Sequence, residues 1–450
     1  MLEELRSTAS FPVFRTNGDK PKGPVENILS IFADVRAGEG AGALLLMVNV
    51  FLLLGAYYLL KTAREPLILT EGGAAVKAYS AAGQAIVLMI LVPLYGLIGT
   101  RVKRLTLVSG LSLFFATHLV VFRILGAFGV HIGVAYYIWV GVFNLFVVSQ
   151  FWAFANDLYT ESQGKRLFPM IGVGASVGAL AGSQAATSLF KDFHITPYVL
   201  MSLGCAILLI TTLLTRLANR IETRRAGQSK GAQEHETLGA QDGFALIFRD
   251  RYLLLIAGLI VVLNVVNTTG EFLLSSVVEQ EAIRQFAGNK AAMQGFIGAF
   301  YGDYFRWVNL LGIVFQALLV SRIFNKIGVR GAVFVLPCIA LASYSVLALA
   351  PILAVVRGVK TLENATDYSL QNTIRAALFL PTSREAKYKA KAAIDTFFTR
   401  FGDVLQAGVV KVGLSLSASL AVFAWFNAAL TIVWLWIAFR LYQYNRRVGL

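Results

Sequence analysis

The chain has 450 residues, of which 57% are hydrophobic and 14% charged, far from the roughly 25% charged residues of soluble domains. Its net charge of +15 would suit nucleic acid in a soluble protein, but Lys and Arg fall mostly in short segments between apolar runs, where membrane orientation accounts for them. Nucleic acid is therefore not expected as a partner, and the composition points to an all-α polytopic membrane protein whose solvent is the lipid bilayer.

Residues 1–41 are polar, with Pro, Gly and mixed charge, and lack the positive start, apolar core and small-residue cleavage site of a secretory signal. They are expected to be a cytoplasmic segment. Taking about 20 apolar residues per crossing, the sequence predicts spans near 42–60, 78–99, 105–127, 133–156, 168–190 and 194–216. Six more follow near 252–275, 303–324, 329–351, 353–378, 389–411 and 415–440, with the tenth and eleventh carrying many charges. Between the sixes, residues 217–251 include "RAGQSKGAQEHETLGAQDG", which has the composition of a flexible linker. The expected organisation is an N-terminal half at 42–216, a linker at 217–251, a C-terminal half at 252–440 and a tail at 441–450.

Basic residues concentrate in alternate connections, as in Arg101, Lys103 and Arg104 after span 2 and Arg322, Lys326 and Arg330 after span 8. By the positive-inside rule both termini are cytoplasmic. A bacterial inner membrane is the simplest location for such a chain. "TESQGKR" (160–166) and "TSREAKY" (382–388) stand 222 residues apart, and "TRVKR" and "RIFNK" repeat at almost the same offset. Two matches at one offset, coinciding with two six-span halves, favour a major-facilitator-like architecture with parallel halves.

No phosphate loop, HExxH or GxSxG motif is present, and the four histidines and two cysteines lack ligand spacing. No enzyme, cofactor or metal is expected. "GVGASVGALAG" (172–182) places glycines at helical spacing and is read as a helix-packing face rather than a nucleotide loop.

Charges inside the spans carry the functional signal, because a charged side chain at the bilayer centre costs at least about 2.5–3.5 kcal/mol and usually faces a cavity or a partner. "YYLLKTAREPLIL" sets Lys61, Arg64 and Glu65 on one helical face at the end of span 1. The other candidates are Asn156 and Asp157 closing span 4, Glu271 on span 7, and Asp303 and Arg306 opening span 8. Glu363 and Asp367 follow on span 10, with Lys389, Lys391, Asp395, Arg400 and Asp403 along span 11. Lys391 with Asp395, and Glu363 with Asp367, are four apart. A structural pair or a snorkelling group is the alternative reading for each. Lys and Arg from both halves around one cavity suit an anionic small molecule.

Several blocks resemble the ATP/ADP translocase family of plastids and obligate intracellular bacteria. They are "FWAFANDLYTESQGKRLFPMIGVGASVGAL" (151–180), "KAKAAIDTFFTRFGDVLQAGV" (389–409), "NATDYSLQN" (364–372) and "LLKTAREPLIL" (59–69). The resemblance implies nucleotide exchange by alternating access, with Arg64 and Glu65 lining the central path and Glu271 and Lys391 at the family's acidic and basic positions. Lys61, Asn156, Asp367 and Asp395 complete the expected substrate-binding set. Three departures stand out: Arg64 replaces a lysine, Asp367 stands where the family has lysine, and Val140 to Phe143 hold no counterpart of its span 4 acid. Another organic or phosphorylated anion, or a non-transporting receptor or assembly role, remains the alternative function. Oligomeric state is not legible.

Overall fold

The computed structural model describes residues 22–30, 33–99, 102, 104–226, 243–383 and 385–447, and among them it is helical throughout, without strands. Helix α1 (Pro24–Leu29) is a short lead-in to α2 (Gly40–Glu71), which runs well past the expected end of span 1. The apolar count stops at Lys61, yet the helix continues because its charged turn is buried among partners. Next come α3 (Gly73–Gly99), α4 (Arg104–Ala127), α5 (Gly133–Leu158), α6 (Glu161–Lys191) and α7 (Pro197–Ala226). Helix α6 begins where its sequence directs: Thr160 caps the Gln163 amide while the Gln163 side chain accepts from the Thr160 amide, a reciprocal capping box.

The expected linker is helical at both ends. Helix α7 continues to Ala226 and α8 (Gly243–Arg249) precedes α9 (Arg251–Phe286), with residues 227–242 outside the described part of the chain. Thr100, Arg101, Lys103 and Arg384 of the basic repeats also lie outside it.

The expected start of span 8 is corrected. Helix α10 covers Lys290–Leu318, opened by Asn289, whose side chain accepts from the Ala292 amide at 3.0 Å. Asp303 and Arg306 therefore sit in mid-helix. Helix α11 (Val320–Ala332) then bends by 71° from α10 and contains Gly328 at φ 66°, a conformation glycine alone adopts without strain. Helix α12 (Val335–Leu349) is shorter than the expected span 9.

Spans 10 and 11 are segmented. Helix α13 (Leu353–Thr366) passes through a wide π turn at Asp367–Gln371 into α14 (Asn372–Ala377). The next segment alternates π turns at Ala386–Ala390 and Ile394–Phe398 with α15 (Lys391–Ala393), then runs into α16 (Thr399–Ser415). Helix α17 (Leu420–Arg447) closes the fold. Eight helices are long and apolar enough to cross a membrane, or nine with the bent pair counted as one span. The chain is an integral membrane protein, and its helical blocks follow the expected segments in order.

One buried apolar cluster is built from residues between Leu29 and Ala218, and a second is centred on residues between Ile247 and Leu441. The glycine-rich stretch fuses α6 to α2. A Cβ on Gly174, Gly178 or Gly182 would stand 2.6, 2.2 and 2.4 Å from the carbonyl oxygens of Met47, Phe51 and Gly55. The helix-packing reading of that stretch is the one the fold uses. At the same helix pair's other end, Glu39 receives Arg166 at 2.9 Å and Gln163 at 3.3 Å. Burial alone would raise the Glu39 carboxyl, but these donors and the Arg36 amide outweigh it and hold it at about 2.

Candidate functional site

Between the two clusters lies a cavity of about 230 Å³ lined by side chains from α2, α3, α5, α9, α10, α13, the first π turn and α16. Lys61 and Arg64 both reach it from α2, as their spacing on one helical face requires. Lys61 Nζ stands 4.2 Å from the centre of the Phe305 ring and 5.3 Å from that of Tyr58, so its charge is held by aromatic faces. No carboxylate lies within ion-pair distance of it among the described residues. Arg64 packs its guanidinium 4.2 Å from the Tyr137 ring centre and pairs with Glu65.

Glu65 is fully buried and turns away from the cavity toward Lys77, whose Nζ lies 2.6 Å from it. Lys77 also donates to Ser275 Oγ at 2.7 Å, and Ser275 shares a 2.9 Å hydrogen bond with the Tyr301 hydroxyl. One ammonium thus ties α2 and α3 to α9 and α10. Around it, the Ala74 amide donates to Glu279 at 2.7 Å and Gln294 donates to Thr70 at 3.2 Å. These bonds draw the two clusters together on the side of the cavity where α2 ends and α3 begins.

The opposite wall is polar and partly acidic. Glu271 accepts from Asn364 at 2.9 Å and from Tyr304 at 3.3 Å, with Lys360 3.8 Å away. Asp403 accepts from Asn264 at 2.8 Å and pairs with Arg400 at 3.4 Å. Several amide atoms facing the cavity, among them Gln84 Oε1, Asn364 Oδ1 and both polar atoms of Gln406, have no hydrogen-bond partner within the described chain. Buried amides of this kind are ready partners for a polar ligand.

Of the expected site residues, Lys61, Arg64 and Glu271 line this cavity and Glu65 braces it from behind. Asp367 opens the π turn whose next residue, Tyr368, faces the cavity. Glu363 and Asp367, two like charges four apart, do not bond to each other; Glu363 instead accepts from Lys360 at 3.1 Å and from Tyr344 at 2.8 Å. Lys391 and Asp395 do pair, at 2.7 Å with Arg375 3.5 Å from Asp395, but away from the cavity lining. Asp395 borders a second hollow between α3 and the last π turn. Asn156 lines a separate hollow with Tyr159, Thr160 and Lys165. Asp303 joins Arg306 and Arg357.

Lys77, Asn267 and Asn364 line the cavity and Lys360 stands behind it, and the sequence reading singles out none of the four. Lys360 stands three residues before Glu363, a spacing that was readable; Lys77 stands just beyond the turn at Gly72 and gave no local signal.

Residues 134–444 match the family described as TLC ATP/ADP transporter. The chain is 26% identical over 330 residues to ADP,ATP carrier protein 1 of Chlamydia muridarum, covering 65% of this chain and 61% of that protein. It is 23% identical over 303 residues to ADP,ATP carrier protein 3 of Rickettsia typhi, covering 57% and 58%. Against the chloroplastic ADP,ATP carrier protein 1 of Arabidopsis thaliana the identity is 26% over 308 residues, covering 59% of this chain and 46% of that one. The chain thus spans about three-fifths of the length of the first of these relatives. Among solved structures, a mutant of the nucleoside transporter NupG aligns with TM-score 0.65 and 15% identity, over 89% of this chain and 98% of that one. The POT family transporter PepTSo aligns with TM-score 0.62 and 13% identity, over 90% and 99%. Likeness at that identity shows the fold alone, which is major-facilitator-like. With the family match running from α5 to α17 and the cavity lying among those helices and α2 and α3, the chain belongs to the TLC ATP/ADP transporter family.

Proposed function

We propose that the protein exchanges nucleotides across a bacterial inner membrane by alternating access. The observation that carries this reading is the convergence of Lys61, Arg64 and Lys77 on one wall of a cavity whose other wall is amide-rich and aromatic. Phosphate oxygens suit the guanidinium and ammonium groups, while Gln84, Gln406, Asn267 and Tyr368 offer hydrogen bonds and a ring face to base and sugar. In this reading residues 42–216 and 252–440 are the rocking halves, joined by 217–251, with both termini cytoplasmic. The Lys77 and Glu279 contacts close the cavity on the side away from the linker. Lys61, Arg64 and Glu271 touch the substrate, Glu65 fixes Arg64, and Asp367 orients the turn that presents Tyr368. Asn156, Lys391 and Asp395 act on the linker side of the path.

A second reading is favoured by the charge count of the same wall. Glu65 offsets only one of the charges of Arg64 and Lys77, and Asp403 offsets Arg400, so the wall keeps the charge of Lys61 and one more shared by Arg64 and Lys77, fewer than the charges of a nucleoside triphosphate. A less highly charged phosphorylated anion suits such a site.

Purified protein in liposomes preloaded with ADP is expected to take up labelled ATP, and empty liposomes are not. Absence of uptake from folded protein rejects the nucleotide reading, and the same assay with competing sugar phosphates tests the second. Lys77→Met is expected to leave Glu65 to Arg64 alone and to remove the bond to Ser275, one of several ties between the two halves. Truncating one member of a buried ion pair costs up to about 3–5 kcal/mol, less where the remaining charge keeps a partner. A fall in the thermal midpoint together with lost exchange is the expected outcome, and a fully stable, active variant contradicts the closure role.

A further inference from the structure

Behind the cavity wall, α9, α12, α13 and α17 enclose a second charged cluster that substrate contact does not explain. Lys360 is 0% exposed and Glu363 2% exposed. Lys360 Nζ donates to Asn267 Oδ1 at 2.8 Å and to Glu363 Oε2 at 3.1 Å, and lies 3.8 Å from Glu271. A single ammonium therefore stands between two carboxylates. Gly270 makes the room, since a Cβ there would meet the Tyr344 hydroxyl at 2.1 Å and Lys360 Nζ at 2.8 Å.

The hydrogen count in this cluster is short. The Tyr344 hydroxyl lies 2.8 and 3.0 Å from the two oxygens of Glu363 and 3.1 Å from the Val266 carbonyl, three acceptors for one hydrogen. Asn427 from α17 also donates to Val266, at 2.8 Å. From α10 the facing group is the Tyr304 hydroxyl, 3.3 Å from Glu271, and across the cavity Glu271 faces Lys61 and Lys77. With both carboxylates ionised, the Lys360 cluster carries one surplus negative charge inside the membrane, where unbalanced charge is costly.

We propose that Glu271, Lys360 and Glu363 form a proton-binding site, with one proton shared between the two carboxylates and carried together with the anionic substrate. The proton enters from the cavity onto Glu271. Lys360 passes one proton to Glu363 and takes the one from Glu271, which leaves the ammonium unchanged and Glu363 as a carboxylic acid. Glu363 then donates to the Tyr344 oxygen, freeing the Tyr344 hydrogen for Val266, and the same steps reversed release the proton on the other side. Protonation removes one negative charge behind the cavity wall, so proton and anion favour each other's binding.

The transport half of this inference rests on the nucleotide reading, whereas the proton site does not. Difference infrared spectra of the reconstituted full-length protein are expected to show a protonated-carboxyl band at neutral pH that is lost in Glu363→Gln. The band should also shift in Tyr344→Phe, and the wild-type spectrum decides even if a variant fails to fold. No such band in the wild type, or one that persists in Glu363→Gln, overturns the site. ADP binding to the wild type is expected to weaken, by up to about tenfold per pH unit, above the pH at which the band is lost, and this dependence should disappear in Glu363→Gln. ADP binding that ignores the loss of the band overturns the coupling and leaves the exchange function standing. A band lost in Glu363→Gln, with no nucleotide movement under any condition, supports the proton site and rejects the exchange reading.

Discussion

Replacing Arg64 with Ala is expected to abolish the proposed nucleotide exchange in liposomes while leaving a folded protein. The guanidinium is held on one side by the Tyr137 ring and on the other by buried Glu65, so its geometry is set before any substrate arrives. Removing it deletes one cavity cation but leaves Glu65 neutralised by Lys77 at 2.6 Å, so the loss stays below the about 3–5 kcal/mol of an unpaired buried carboxylate. Arg64→Lys is expected to restore charge and only part of the activity, because an ammonium cannot reproduce a planar fork of donors. Initial rates of ATP uptake at several concentrations, with a thermal midpoint for each variant, separate the loss of substrate binding from the loss of folding. Unaltered exchange in Arg64→Ala removes this residue from the path.

The largest structural effect is expected from Gly178→Leu. The Cβ would stand 2.2 Å from the Phe51 carbonyl oxygen, a backbone atom that cannot swing aside. Because Gly174 and Gly182 make equally close approaches one turn away on either side, the helices cannot separate at one point without parting along the whole face. Overpacking a tight core typically costs about 1–3 kcal/mol, and a clash against backbone lies at the upper end or beyond. The variant should be recovered in low yield and melt well below the wild type, while Gly172→Leu, where a Cβ meets nothing within 4 Å, should be tolerated. Equal melting of the two variants contradicts the assignment of the glycine column to the α2–α6 contact.

Much of this arrangement was legible because its signals are local. Long apolar runs mark the helices, the four-residue glycine spacing marks the α2–α6 face, and Lys61 with Arg64 share a side of α2. The failures share another cause. Lys77 reaches Glu65 only because α3 folds back against α2 after the turn at Gly72, and no pattern within either helix encodes that meeting. Glu363 and Asp367 share a helical spacing, but as like charges they find other partners, Glu363 taking Lys360 one turn before it. Lys391 and Asp395 keep their pairing across a π boundary and yet stand off the cavity, since the direction of span 11 is set by two wide turns that composition does not announce. The polar Gly, Asp and Arg in the middle of α10 look like a helix end until the packing of α10 against α6 is seen. The resemblance to a known family supplied the nucleotide expectation; the residues alone gave an anion.

The wide turns have a mechanical meaning. A π turn holds one residue more than an α turn, and expelling or admitting that residue rotates everything beyond it by about 100°, the angle subtended by one residue of an α-helix. The turn at Ile394–Phe398 lies directly before α16, which presents Arg400, Asp403 and Gln406 to the cavity. A shift of register there would exchange this trio for its neighbours as a set, with each backbone amide passing from one carbonyl to the next. The helix would behave as an indexing shaft, moving between two stops without being melted.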